Sequence, residues 1–429
     1  MVATGKSSVS KKALLVGIYR NPTDRSDAES LLDELQALVE TLDLGVVDKQ
    51  LVRVLEPSSR YYTGTGKAEE IAALAQKSGA DVIVFDNELL PSQQRNWETL
   101  SRLPVIDRQE VILDIFARRA QTKEARLQVQ LAQLEYFLPR LTRAWAHLSR
   151  QGGGVGAKGE GESQLETDRR LVRKQIDRLR RDLDDVRSRR ATQRKQRERL
   201  PLPTAAIVGY TNAGKSSLLK KLTGADVLVQ DKLFATLDPT TRRVELPDKQ
   251  SLLLTDTVGF VRNLPHLLVE AFQATLEEAV RSDFLIHVLD ASHPRVFEFH
   301  QTTMEVLADL GADDKQMITV LNKVDLIENS AAIHALRLHF PDAIFASVQT
   351  GRGLQELLER CADLLQHRTT KVELALPLER TELLSLIHRT SNVLSLDYQD
   401  AHAKIIAFVP PKVRARLQPF VVPAPTLVS

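Results

Sequence analysis

The sequence predicts an α/β protein: an N-terminal α/β domain with an antiparallel helical hairpin, a phosphate-loop α/β domain, and a small α+β C-terminal appendage. Three observations predict it. Over residues 13–85, apolar runs of strand length alternate with segments of helical period, the pattern of a mostly parallel sheet. Two stripes of heptad spacing follow, around a glycine-rich stretch. Then an apolar run, Ala205–Val208, leads into Gly209-Tyr210-Thr211-Asn212-Ala213-Gly214-Lys215-Ser216 and a helix start, Ser217–Leu222. That is G-x-x-x-x-G-K-[ST] in the strand–loop–helix setting its chemistry needs.

Composition bounds the answer. The chain has 429 residues, enough for two to four domains of roughly 100–200 residues. Its net charge of +2 calls for no global nucleic-acid attraction, so any basic patch is local. The single cysteine, Cys361, excludes an internal disulfide framework and sits in an apolar helical pattern, which predicts a core residue in a reducing compartment. No run reaches the ~18–20 apolar residues of a membrane span. Residues 1–12 read as a disordered tail, and the cytoplasm is the expected location.

The first domain is expected over 13–120. Strands are predicted at Ala13–Ile18, Val46–Val54 and Asp81–Phe85, with helices over Ala28–Leu42 and Ala68–Ala75. Tyr62-Thr-Gly64-Thr-Gly66-Lys67 precedes a helix and reads either as a phosphate cradle or as a tight turn with a surface lysine. Asp86–Asn96 reads either as a functional loop or as a helix start capped by Ser92.

The hairpin is expected over 121–200. Leu127, Leu131, Leu134 and Leu138 form one seam; Val172, Ile176, Leu179, Leu183 and Val186 form the other. Pro139 stops or kinks the first helix. Helices joined only for packing need a short turn. Gln151–Gly161 is long and glycine-rich and is preceded by Arg140, Arg143 and Arg150, which predicts insertion into a partner. The second helix carries Arg187, Arg189, Arg190, Arg194, Lys195, Arg197 and Arg199. These read as a solvated face or as phosphate-backbone contacts, with the arginine bias favouring RNA. Leu200–Pro203 is the linker into a domain expected over 204–368.

In that domain Asn322-Lys323-Val324-Asp325 follows an apolar strand. A carboxylate there can accept two hydrogen bonds from the N1–H and N2–H₂ edge of guanine, which adenine does not offer. Ser347-Val348-Gln349 falls where backbone contacts to guanine O6 would come. Asp256-Thr257-Val258-Gly259 ends another apolar run; Asp256 is expected to hold Mg²⁺ through water, and the Gly259 N–H to meet the γ-phosphate. Lys215 is expected to reach the β- and γ-phosphates, with the Ser216 hydroxyl on Mg²⁺. The stretch Phe234-Ala235-Thr236-Leu237-Asp238-Pro239-Thr240-Thr241 should supply a second hydroxyl for Mg²⁺, with Thr236 placed ahead of Thr240 and Thr241. The catalytic set is therefore Lys215, Thr236 and Gly259, with GTP and Mg²⁺ as ligands. Many GTPases carry a water-orienting glutamine after this glycine; here it is Phe260. Slow intrinsic turnover is expected, with the water positioned by a partner, the substrate or a monovalent cation such as K⁺, for which Asn212 is the candidate ligand.

These stretches resemble the HflX family of ribosome-binding GTPases, in the TRAFAC class. The phosphate loop, Phe-Ala-Thr-Leu-Asp-Pro-Thr, Asp-Thr-Val-Gly-Phe, Gln-Gly-Gly-Gly, Gly-Glu-Ser-Gln-Leu-Glu166, the Tyr62–Lys67 turn and Asp-Asn-Glu-Leu-Leu-Pro-Ser-Gln all carry it, over about residues 13 to 370. The resemblance implies a GTPase that binds the large (50S) ribosomal subunit and its rRNA and splits stalled ribosomes under stress, with hydrolysis controlling association and release. It also implies ATP as a candidate ligand of the N-terminal domain. An ATP-driven RNA-remodelling factor and a ribosome-assembly scaffold are the alternatives, and a monomer is expected. The glycine loop departs from the family, with Glu160 and Ser163 where proline and threonine are usual. Residues 371–429 read as the appendage, with strands at Val372–Leu376 and Ile405–Val409 and a helix around Leu383–His388.

Overall fold

A computed structural model describes residues 11–141, 161–197, 202–224, 233–234, 236–263, 278–366, 370–399 and 401–422. The chain divides into two compact units. Unit 1 comprises Met1–Arg187 with Lys232–Phe234 and Arg262–Phe272; unit 2 comprises Ser188–Asp231, Ala235–Val261 and Gln273–Ser429.

Unit 1 opens with β1 (Lys12–Tyr19), whose residues Ala13 to Val16 are fully buried, and α1 (Arg25–Thr41), which turns Leu32, Leu35, Leu38 and Val39 inward at helical spacing. Then come β2 (Gly45–Arg53), α2 (Thr65–Lys77) and β3 (Val82–Phe85). The helix α3 (Pro91–Ser101) starts at proline, whose missing N–H costs nothing in a first turn. Leu90 holds the cap position and its N–H donates to the Gln93 side chain at 2.9 Å, so Ser92 lies inside the helix and is not its cap. The strand β4 (Val105–Asp107) and the helix α4 (Arg108–Arg119) are absent from the sequence reading. Three residues are too few to show a period, yet β4 completes a parallel sheet of order β2-β1-β3-β4.

The helix α5 (Lys123–Phe137) has two apolar faces. One buries Ala125, Val129, Ala132 and Tyr136, and α5 packs on α4. The other is the expected seam: Leu131, Leu134 and Leu138 pack against Leu141 and against Val172 and Ile176 of α6 (Gly161–Arg197). The 3₁₀ turn Leu138–Arg140 ends α5 at the proline. The glycine loop up to Glu160, with Arg143 and Arg150, lies outside the described residues. Arg140 is spent inside unit 1, against its expected place at a partner surface. Its guanidinium sits 3.6 Å from the Tyr136 ring centroid and donates to Leu89 O (2.9 Å) and Gln94 Oε1 (3.1 Å).

Beneath Arg140, Asp107 caps α4 by accepting the Glu110 N–H at 3.1 Å and also accepts the Tyr136 hydroxyl at 2.9 Å. Burial, then the neighbouring Asp107 and Asp114 carboxylates, push the Glu110 carboxyl up to about 8, against the pull of Arg140 and Gln94. Unfolded, it titrates near 4.5. Between those values the folded chain keeps a proton the unfolded chain has lost, so stability declines as pH rises and this contribution is gone above about 8. Glu110→Gln mimics the protonated form. Its melting temperature should match wild type near pH 5 and exceed it above pH 8, by about 2–4 °C for each kcal/mol recovered. A difference that stays flat with pH would refute the assignment.

Unit 2 builds a six-stranded sheet of order β10-β9-β8-β5-β7-β6, parallel except for β6. Its strands are β5 (Thr204–Val208), β6 (Thr240–Glu245), β7 (Ser251–Asp256), β8 (Phe284–Asp290), β9 (Met317–Asn322) and β10 (Ile344–Phe345). Around it run α7 (Lys215–Thr223), α8 (Val296–Asp309), α9 (Ser330–His339) and α10 (Leu354–Gln366). Cys361 is buried in the core with Leu357 and Leu365 and is a packing residue.

A separate core, including Leu374, Ile387, Ile405 and Leu417, holds the C-terminal part. There β11 (Thr370–Pro377), α11 (Thr381–Thr390), β12 (Asn392–Tyr398), β13 (His402–Val409) and α12 (Pro411–Leu417) form an antiparallel sheet of order β11-β13-β12 with two helices. The sequence reading found β11, β13 and α11 and missed β12 and α12.

Candidate guanine-nucleotide site

In unit 2 the site forms at the carboxyl end of β5, between β7 and β8, where the strand order reverses and open α/β sheets bind ligands. Gly209 leaves β5 with φ +143°, and a Cβ there would run into the Val288 carbonyl. Gly214 enters α7 in the left-handed region, and a Cβ there would run into the Asn322 side-chain amide. Both glycines are required by the approach of a neighbouring chain segment, which is how the loop closes tightly enough to present its N–H groups. Ala213 is buried, and Asn212 is exposed with φ +60°. Tyr210 stacks on Phe299 at 3.8 Å between centroids.

Lys215 is buried and donates to Gly209 O at 3.0 Å and Tyr210 O at 2.8 Å. Burial pulls its ammonium down to about 8, opposed by Asp256. Ser216 Oγ, Thr236 Oγ1 and Asp256 Oδ2 form a triangle of oxygens: 2.7 Å between the hydroxyls, and 2.6 and 2.8 Å from them to the carboxylate. Asp256 is fully buried, and its Oδ1 has no hydrogen-bond partner among the described residues. Burial raises its carboxyl, with Lys215 and the two hydroxyls pulling the other way. Thr241 is turned to Thr255, 2.9 Å between hydroxyls, and Thr240 pairs with Asp256 in the β6–β7 ladder.

After Asp256, the buried Thr257 donates to Ile207 O at 2.6 Å, and Val258 is buried. Gly259 packs directly on Thr211 and Lys215; a Cβ there would lie 2.8 Å from Lys215 Nζ and from Thr211 Cα and Cγ2. Asn322 is a brace: its amide nitrogen donates to Ala213 O (2.9 Å) and its oxygen accepts the Val348 N–H (3.1 Å), tying the phosphate loop to Ser347–Gln349. Lys323 pairs with Asp290 at 2.6 Å. Val324 is buried, Asp325 and Gln349 are exposed, and Ser347 is fully buried, its hydroxyl accepting the Thr350 N–H at 3.2 Å. Leu237 is buried and Asp238 half-buried; Ala235 lies outside the described residues.

Phe234 belongs to unit 1, where it meets Phe116 edge-on at 4.6 Å. Arg262, also in unit 1, was missed by the sequence reading. It donates to Asp27 (2.8 Å), Ser30 (2.9 Å) and Glu34 (3.1 Å), and Arg108 pairs with Glu34 (2.6 Å) and Asp86 (2.7 Å). Nothing local in the sequence signals a partner more than 220 positions away. The Tyr62–Lys67 turn is a pair of isolated bridges leading into α2, and Lys67 is exposed and paired with Glu70 at 2.7 Å. A cavity of about 790 Å³ lies at the carboxyl ends of the unit 1 strands, lined by Gly17, Ser58, Asp86, Asn87, Gln93 and Arg108 among others; Lys67 is not part of its wall.

A phosphate loop on the central strand, two hydroxyls and a carboxylate beside its lysine, and N-K-x-D on the strand after next define a P-loop GTPase. Residues 204–323 match the family described as "50S ribosome-binding GTPase"; residues 29–117 and 119–197 match "GTP-binding GTPase N-terminal" and "GTP-binding GTPase Middle Region". The GTPase HflX of Akkermansia muciniphila is 49% identical over 97% of this chain and 98% of its own length. The GTPase HflX of Chlamydia pneumoniae is 44% identical over 96% and 88%, and that of Escherichia coli (strain K12) 42% identical over 88% of each chain. This chain belongs to the HflX GTPase family and is a GTP-hydrolysing enzyme. Among the described residues no helix is long and apolar enough to cross a membrane.

Proposed function

We propose that this GTPase binds the large ribosomal subunit and its rRNA and splits stalled ribosomes, with nucleotide state setting association and release. The description of the family matching residues 204–323 carries the ribosomal part of this reading. The arginine-rich α6 supports it, since Arg170, Arg173, Lys174, Arg178 and Arg181 are exposed and α6 is stiffened by its seam with α5.

The residues fit Mg²⁺: hydroxyl and carboxylate oxygens are the donors a hard cation takes, and Asp256 Oδ1 is a buried acceptor with no hydrogen-bond partner among the described residues. When bound, the cation neutralises phosphate charge. In this reading Ser216 and Thr236 are its hydroxyl ligands, and Asp256 orients both. Lys215 leaves the loop carbonyls for the β- and γ-phosphates, and the Gly259 N–H meets the γ-phosphate. Water attacks in line, and loss of the γ-phosphate frees Thr236 and Gly259. Asp325 reads the guanine edge.

Co-sedimentation with purified large subunits tests the reading. Binding with a non-hydrolysable GTP analogue should exceed binding with GDP, and should weaken with salt at a slope of roughly −0.7 to −0.9 per phosphate contacted. Equal pelleting in both nucleotide states would overturn it. Turnover should rise strongly with ribosomes, and exchanging K⁺ for Na⁺ at fixed ionic strength should slow it if Asn212 ligates the cation; equal rates in the two salts would remove that role.

A further inference from the structure

The residue after Gly259 raises a chemical problem. Where many GTPases place a glutamine that orients the attacking water, this chain has Phe260, 1% exposed. Its backbone is stitched to the phosphate loop: the Thr211 N–H donates to Phe260 O at 2.8 Å, and the Phe260 N–H donates to Gly209 O at 3.2 Å. A buried phenyl ring cannot hydrogen-bond water, so another group must do so.

We infer that the Thr211 hydroxyl is that group. Three observations converge on it. Thr211 is 7% exposed, and its Oγ1 has neither solvent contact nor a hydrogen-bond partner among the described residues. Unpartnered buried hydroxyls are rare enough in native folds to need a reason. Second, the position where a Gly259 Cβ would stand is equally close, 2.8 Å, to Thr211 Cα, Thr211 Cγ2 and Lys215 Nζ. Lys215 and Gly259 are the two groups assigned to the γ-phosphate, so Thr211 belongs to the same point in space. Third, the two hydroxyls assigned to the cation are committed, since Ser216 and Thr236 both hold Asp256. The buried Asp256 Oδ1 has its explanation in the cation; the Thr211 hydroxyl has none until a nucleotide parts Gly259 from the loop.

The step balances without Thr211 being consumed. The water oxygen forms a bond to the γ-phosphorus, and the bridging bond to the β-phosphate oxygen breaks. GDP leaves with that electron pair, and the water proton passes to a phosphate oxygen. Thr211 Oγ1 accepts a hydrogen bond from the water and donates its own to a γ-phosphate oxygen, which fixes the line of attack.

The inference rests on the GTP-hydrolysis reading, so the experiment measures both separately in the full chain without ribosomes. Single-turnover hydrolysis and fluorescent GTP and GDP binding are compared for wild type, Thr211→Val, Thr211→Ser and Thr211→Ala. Thr211→Val keeps the shape and removes the hydroxyl. Its rate should fall about 10- to 100-fold with both affinities within about threefold of wild type, and Thr211→Ser should stay within about fivefold of the wild-type rate. A wild-type rate in Thr211→Val, or equal loss in Thr211→Val and Thr211→Ser, overturns it. If Thr211→Val binds no GDP, the decision passes to the smaller pair. Thr211→Ser faster than Thr211→Ala by about tenfold supports the hydroxyl, and equal rates refute it. No hydrolysis by wild type would instead defeat the underlying reading.

Discussion

Asp256→Asn should lower single-turnover GTP hydrolysis by about 100- to 1,000-fold, the range for removing one preorganised charge-stabilising group from a phosphoryl or oxyanion site. The carboxylate has no exposed surface, and its Oδ2 takes the Ser216 and Thr236 hydroxyls at 2.6 and 2.8 Å. An amide of the same shape keeps one acceptor and turns a donor either on the hydroxyl pair or on the position vacant at Oδ1. The first choice costs the two hydroxyls the acceptor they donate to, the second puts an N–H₂ group where the cation is proposed to draw on an oxygen, and both remove the negative charge beside Lys215. GDP binding should suffer far less, because the loop amides and Asp325 are untouched. The Mg²⁺ concentration for half-maximal rate should rise in parallel. A variant within about threefold of the wild-type rate would remove Asp256 from the site.

The phosphate loop, Asp256-Thr-Val-Gly259 and Asn322–Asp325 could be read from sequence because each is a local grammar: a short apolar strand followed by polar residues whose spacing is set by phosphate or base geometry. The sequence already ranks Thr236 ahead of Thr240 and Thr241, and the fold adds the physical reason for that order, since β6 claims the latter two. The helix seam was legible as a period, but the period could not say that α5 has a second buried face centred on Ala125, Val129 and Ala132. The same blindness put Arg140 on a partner surface. Arginines ahead of a glycine loop look like partner contacts from sequence, and only the fold shows a carboxylate, an aromatic face and a carbonyl waiting for one of them. Two strands are silent for other reasons: β4 has three residues and no period, and β12 contains a bulge between Val393 and Ser395 that breaks alternation. Arg262 belongs to the last class, in which the meaning of a residue comes from segments far away in the chain.

Asp325→Asn should transfer preference from guanine to xanthine nucleotides. Asp325 follows β9 in a short 3₁₀ turn, Val324–Leu326, and its side chain is exposed. The turn is held from both sides: the Val324 N–H donates to Ala346 O at 3.2 Å, and Asn322 ties the loop at Val348 to the phosphate loop at Ala213. The carboxylate is therefore carried on a rigid mount, and the substitution should alter recognition without loosening the fold. With guanine, a carboxylate accepts from N1–H and N2–H₂ together. An asparagine offers one acceptor and one donor, so the donor faces the N2 amino group and one of the two hydrogen bonds becomes a repulsion. Xanthine carries a carbonyl at C2, which accepts from that donor. Truncating one side of a hydrogen-bonded charged contact costs about 2–5 kcal/mol, and at 1.4 kcal/mol per decade the GTP affinity should fall about 30-fold to a few thousand-fold. Hydrolysis of xanthosine triphosphate at saturation should approach the wild-type GTP rate, because the phosphate end of the site is unchanged. Competition between GDP and xanthosine diphosphate for a fluorescent nucleotide reads the ratio directly. An unchanged preference for GDP in the variant would mean that Asp325 does not read the base, and that selection lies in the backbone of Ser347–Gln349.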